Sequence, residues 1–205
     1  MGHTRKSCRL AALLLPLALL AARPAAAVDT EQARLLVRSA AADTLASFAG
    51  KTLTPDEARA ALRPLIAKYG DMETESRQIL GRYWAKASPE SQKEFAILLE
   101  RFVVTAFGGM IDEVPAGQRI DVQSAEAQGN TVVVHSVASS PGEAPTPVDW
   151  VVADTAEGRP VIVDVSVDGA AMVATLQADF TSVIRSASGG LEALFGPIRR
   201  KISAL

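Results

Sequence analysis

Val161-Ile162-Val163-Asp164-Val165-Ser166-Val167-Asp168-Gly169 is the stretch that decides the fold. Valines 161, 163, 165 and 167 recur at every second residue, the period of a strand with one buried face. Asp164 and Asp168 fall on the opposite face and read as solvated. Asp168-Gly169 ends the run, with Asp168 placed to cap a following helix. Working backward, Glu157-Gly158 makes a turn, and Val148, Trp150 and Val152 alternate in a preceding strand. A Pro- and Gly-rich loop at 141–147 separates it from the β-branched run 131–137. Gly129-Asn130 turns the chain again, and Ile120 and Val122 alternate before that. Four strands joined by turns make an antiparallel meander with one face buried.

Both flanks read as helices. At 31–49, with Asp29 or Thr30 as cap, Leu35, Ala42, Leu45 and Ala49 keep helical spacing, and Gly50 stops the helix. Thr54-Pro55-Asp56-Glu57 opens a second helix that runs to about residue 68. It has a capping Thr, Pro at the first helical position and acids favoured by the helix dipole. Pro64 inside it is expected to kink or split it. Asp71 caps a third, carrying Ile79, Leu80, Tyr83 and Trp84 on one side. Ser88-Pro89-Glu90 starts a fourth. Here Phe95, Leu98, Leu99, Phe102, Val103, Ala106, Phe107 and Met110 step by three and four up to a weak end at Gly108-Gly109. After the strands, Met172, Val173, Leu176, Phe180, Val183 and Ile184 mark an amphipathic helix. Ser188-Gly189-Gly190 breaks it, and Leu191, Leu194, Phe195 and Ile198 mark the last. The expected fold is α+β, with helices packed on one face of a curved four-stranded antiparallel sheet.

The N-terminus carries an address. Arg5, Lys6 and Arg9 precede an apolar run at 10–22, which Arg23-Pro24 ends, and Ala25-Ala26-Ala27 offers a small-residue cleavage site. This is the layout of a secretory signal peptide at 1–27. The run is shorter than the roughly 20 residues that a bilayer span needs. A single α+β domain then occupies 28–205. Cys8 stands before the apolar run, so the exported chain contains no cysteine. Disulfides, thiolate catalysis and Cys-ligated metals are thereby excluded. Without the four basic residues of the signal, 17 Lys and Arg face 23 Asp and Glu, a net charge of −6. An acidic chain with no basic cluster is poorly suited to nucleic acid or to an anionic membrane surface. Aromatics make up only 5% of the chain, so the interior is built of Ala, Val and Leu. That is compatible with internal room but does not require it.

Candidate chemistry is sparse. His135 is the one histidine after the signal segment. As a general base it would need Ser136 or an acid such as Asp164 beside it; otherwise it is a face residue of the sheet. No metal-ligand spacing, phosphate loop or nucleophile elbow is present. A Tyr/acid cavity of the isomerase kind would need an acid near Tyr83, and none is assigned.

Two segments carry a resemblance. Ile79-Leu80-Gly81-Arg82-Tyr83-Trp84-Ala85-Lys86-Ala87-Ser88-Pro89-Glu90 and the Phe-rich helix after it form the first. Val163-Asp164-Val165-Ser166-Val167-Asp168-Gly169-Ala170-Ala171-Met172, with Phe180 eight residues on, forms the second. Together they resemble the MlaC-like family, the periplasmic phospholipid-binding proteins of the Mla pathway, also called the toluene-tolerance auxiliary family. The order of elements matches over essentially all of 28–205. Asp168-Gly169-Ala170-Ala171 replaces the family's usual Glu-Gly followed soon by Ser, and Leu176-Gln177 stands where a Tyr-Arg pair is common.

The resemblance implies a lipid carrier in the periplasm of a Gram-negative bacterium, with an apolar cavity between helices and sheet. The cargo would be a phospholipid or related amphiphile, no cofactor would be needed, and the site would hold no metal. The partners would be an inner-membrane ABC transporter complex and an outer-membrane lipoprotein–porin complex. A sister branch associated with hopanoid biosynthesis is the alternative within the family. Periodicity then sets the acyl tails against Tyr83, Leu99, Phe102, Val103 and Phe107 from the helices. Val148, Trp150, Val152, Val163, Val165 and Val167 face them from the sheet, and Met172 and Leu176 lie at the mouth. Two other readings stay open: a small exported cavity enzyme using His135 and a carboxylate, and a solid-cored adaptor.

Overall fold

The computed structural model describes residues 28–108 and 114–204. The expected signal segment 1–27, together with Gly109 and Met110, lies outside the described residues. Five helices come first: α1 (Thr30–Phe48), α2 (Pro55–Tyr69), α3 (Met72–Leu80), α4 (Arg82–Lys86) and α5 (Pro89–Gly108). Strands follow as β1 (Arg119–Gln128), β2 (Thr131–Ser139), β3 (Thr146–Asp154), β4 (Pro160–Val167) and β5 (Ala170–Ala171). α6 (Met172–Ser186), a 3₁₀ turn at Leu191–Leu194 and α7 (Phe195–Ala204) close the chain.

The helix starts follow the capping residues. Asp29 Oδ1 accepts the Glu31 and Gln32 amides at 3.0 and 2.9 Å. Thr54 and Glu57 form a reciprocal capping box at the start of α2. Pro64 sits inside α2 without splitting it. The expected third helix is divided: Gly81 takes φ +48°, in the left-handed region, and separates α3 from α4. On α1 the buried stripe is Ala33, Val37, Ala40, Ala41 and Phe48, while Leu35 is 54% exposed.

The sheet has five antiparallel strands in the order β1-β2-β3-β4-β5, one more than the four expected. The addition comes from Asp168 and Gly169, with φ of +51° and +79°. Two successive positive φ angles make a tight hairpin turn, which pairs Val167 with Ala170. Asp168 therefore shapes a hairpin instead of capping α6. The capping bond comes from Asp164, whose Oδ1 accepts the Val173 amide at 3.0 Å.

A bulge also breaks the valine row. Val151 pairs with Asp164 and Val152 with Ile162, so Val163 is an extra residue on β4. Val165 and Val167 stand opposite Trp150 and Val148, whereas Val161 stands opposite Ala153 and packs with it on the other face. The four valines thus do not share one face.

Helices do not simply tile one side of the sheet. α1 crosses it, packing on β1, β2 and β4. α3 and α6 reach β4. α5 packs mainly on α2, α3 and α7, in a helical layer of its own. Two main interiors result. One lies between α1 and the strands, and the other lies among α3 to α7.

Candidate functional site

A cavity of about 690 Å³ opens where these interiors meet. Its walls come from α1 and α2 on one side, β3, β4 and β5 on another, and α3, α5 and α6 between them. The lining is overwhelmingly apolar. Leu62, Leu65, Ile66 and Tyr69 project from one face of α2, at the i, i+3, i+4, i+7 spacing. Ala40 and Thr44 face them from α1. The cavity reaches solvent beside Val167, which is 50% exposed, and the exposed Ala170 and Thr175. Gly108 lets α5 approach α2 closely: a Cβ there would come within 2.9 Å of the Arg59 Cα.

Of the residues that periodicity set against the tails, eight border this cavity. They are Val103 and Phe107 from α5, Trp150 from β3, Val163, Val165 and Val167 from β4, and Met172 and Leu176 from α6. The other five lie outside the lining. Leu99 is fully buried in the helical core, and the Phe102 ring packs edge-on against Phe180 at 6.2 Å. Tyr83 lies under the Arg82 guanidinium. Bonds from Arg82 and Arg185 hold its phenol below the usual range. Val148 and Val152 are buried between the sheet and α1.

Three ionisable side chains in the wall have shifted titration. Burial pushes the Glu75 carboxyl up to about 8, and the acidic neighbours Asp71 and Asp164 add to the shift. Asp164 is also raised by burial, against the lowering effect of the backbone amides it accepts. Burial raises the Tyr69 phenol, whose O–H donates to Asp43 Oδ2 at 2.6 Å. Lys68 Nζ bonds the same oxygen at 2.7 Å, and these two bonds hold the exposed Asp43 carboxyl low.

Sequence reasoning passed over Glu75 and the α2 face, and it placed Asp164 on a solvated face. The signal for α2 was present as Leu62, Leu65, Ile66 and Tyr69. For Glu75 it was position, since Met72, Glu75 and Ile79 share one side of a helix. Asp164 was assigned to solvent because alternation does not reveal that α3 and α6 pack against β4 beside it.

His135 is not in the cavity wall. Its Nδ1 lies 2.8 Å from Asp149 Oδ1 across β2 and β3, with both side chains more than a third exposed. The Ser136 hydroxyl instead donates to the Val148 carbonyl at 2.8 Å and accepts the Trp150 indole N–H at 2.9 Å. His135, Ser136 and Asp164 therefore do not assemble. Among the described residues no cluster of three His, Cys, Asp or Glu could hold a metal, and no helix is long and apolar enough to cross a membrane.

The fold has a solved counterpart in a phospholipid-binding protein from Ralstonia solanacearum, determined in complex with a phospholipid. The two superpose with a TM-score of 0.71 at 22% identity, over 86% of this chain and 98% of that one. No curated protein matches the sequence. The family model described as MlaC protein matches residues 38–199, which takes in every strand and every helix from α2 to α6, and the chain therefore belongs to the MlaC family.

Proposed function

We propose that this protein is a periplasmic lipid-transfer protein that carries one diacyl phospholipid or a related amphiphile between inner-membrane and outer-membrane complexes. The observation that carries this reading is the open apolar cavity of about 690 Å³ in a member of the MlaC family. Its size lies within the roughly 300–1,000 Å³ usual for ligand pockets. The solved counterpart, whose fold this chain shares, holds a phospholipid.

The physical need is plain. Each buried methylene is worth about 0.8 kcal/mol. Exposing two acyl chains, roughly 30 methylenes, would cost on the order of 20 kcal/mol. A lipid crosses water only if a carrier offers a comparably apolar slot. The tails lie against Val103, Phe107, Trp150, Val163, Val165 and Leu176, with Val167 and Met172 toward the mouth. Tyr83, Leu99, Phe102, Val148 and Val152 hold that lining in place from behind. The task is binding and release, with no catalytic step, cofactor or metal. A signal at 1–27 delivers one domain, 28–205, to the periplasm. There an ABC transporter complex at the inner membrane and a lipoprotein–porin complex at the outer membrane are the exchange partners. A hopanoid-type cargo is the alternative that the same cavity chemistry admits.

Mass spectrometry of organic extracts of the purified exported protein tests this. One lipid per chain is expected, and its mass identifies phospholipid or hopanoid. Protein that is free of lipid and refuses lipid from vesicles would overturn the proposal.

A further inference from the structure

Glu75 is a side chain that an apolar slot does not need. It is 5% exposed, sits on α3 and borders the cavity. Among the described residues no side chain forms a hydrogen bond or ion pair with it; its one polar neighbour in bonding position is the Asp71 backbone amide. The charged groups facing it are Asp71 at the start of α3 and Asp164 on β4. Asp71 is itself 3.6 Å from Arg159 Nη2, and Asp164 accepts the Val173 amide. Tyr69, at the end of α2, gives its hydroxyl to Asp43. Burial, with the acidic neighbours adding to it, raises the Glu75 carboxyl to about 8, which favours the neutral form at pH 7. A neutral carboxyl carries one O–H donor, and a buried donor left without an acceptor is costly.

Because Glu75 borders the cavity, cargo bound there can supply that acceptor. In a glycerolipid the polar atoms drawn in with the tails are the ester carbonyls, which only accept. We propose that Glu75 is a cargo-recognition residue whose carboxylic O–H donates a hydrogen bond to a tail ester carbonyl of the bound glycerolipid. This rests on the lipid-carrier reading and adds to it a preference for ester-linked over ether-linked tails.

The test is competitive uptake by delipidated protein from mixed vesicles. The vesicles hold equal amounts of diester and diether phosphatidylethanolamine with matched chains, and uptake is read by mass spectrometry. Near neutral pH the natural protein is expected to favour the diester by about two- to tenfold, the worth of one hydrogen bond. Glu75→Gln, whose amide still donates, keeps the preference, and Glu75→Leu takes both lipids equally. In the natural protein the preference fades as pH rises past about 8 and the carboxyl loses its proton. Equal uptake by the natural protein, or a preference that survives in Glu75→Leu or at high pH, would overturn the assignment while leaving the carrier intact. Uptake of neither lipid would overturn the carrier reading, and this inference with it.

Discussion

The two ends of α5 belong to one helical core but differ in what lies beside them. Toward its start, Phe95, Leu98 and Leu99 sit in a helical core with Trp84, Ile184, Leu191 and Leu194. There the Phe95 ring meets Phe180 edge to face, at 5.8 Å and 88°. Toward its end, Val103 and Phe107 belong to the same core but also border open space. The other interior sets small residues, Ala33, Val37 and Ala40 on α1 and Val132, Val134 and Val152 on the strands, beside the rings of Tyr69 and Trp150. Large rings and branched chains fill the helical interior at the start of α5. Ala and Val on α1 and the strands let the backbones approach closely, and of these six only Ala40 borders the cavity. The contrast teaches that one end stabilises the chain and the other leaves room for something that is not protein.

The sharpest way to break that contrast is to hollow out the solid end. Phe95→Ala should cost about 3–5 kcal/mol of stability in denaturant melts; a loss under about 1 kcal/mol would show that this end is not the packed one. Next comes the ionisable group in the cavity wall. The Glu75 carboxyl rises from 4.5 to about 8 on folding, so between those values the unfolded chain binds fewer protons and stability falls as pH rises. Below 4.5 the penalty is absent, and above about 8 it is complete. Glu75→Gln should therefore raise stability by about 3 kcal/mol at pH 7 and flatten the profile across that window. An unchanged profile would mean that the carboxyl is solvated.

Filling the loose end should act differently. Val165→Trp or Val103→Trp should shift stability by no more than about 1–3 kcal/mol yet abolish lipid retention in folded protein. Unchanged lipid content in either folded variant would count against its place in the lining. The smallest effect belongs to His135→Ala, on the exposed pair with Asp149. It should change stability by about 0.5 kcal/mol or less and leave uptake as it was; marked loss of function would revive the enzyme reading.

What could be read from the chain follows the same division. Helix starts were legible because Asp29, Thr54, Asp71 and Ser88 are chemically specific caps. The Phe-rich face of α5 was legible because large apolar residues recur on one side. Local backbone choices were not legible. The bulge at Val163 changes which residues share a face, and alternation alone cannot register an added residue. The positive φ of Asp168 turned an expected helix cap into a hairpin and added a fifth strand. On α1 the choice between Leu35 and the alanine stripe depends on how closely the helix meets the sheet, which hydropathy does not encode. Glu75 was missed because a carboxylate on a helix is ordinarily solvated, and only the enclosing wall raises it.

The most direct test of the account uses a phospholipid with a photoreactive carbene precursor near the end of one acyl chain, loaded into the protein and activated by light. Labelled peptides should contain Val103 and Phe107, the 162–167 segment of β4 and the 62–69 face of α2. Label concentrated on the 3₁₀ turn and α7, or spread evenly over the surface, would contradict the claim that the tails occupy the loosely filled interior.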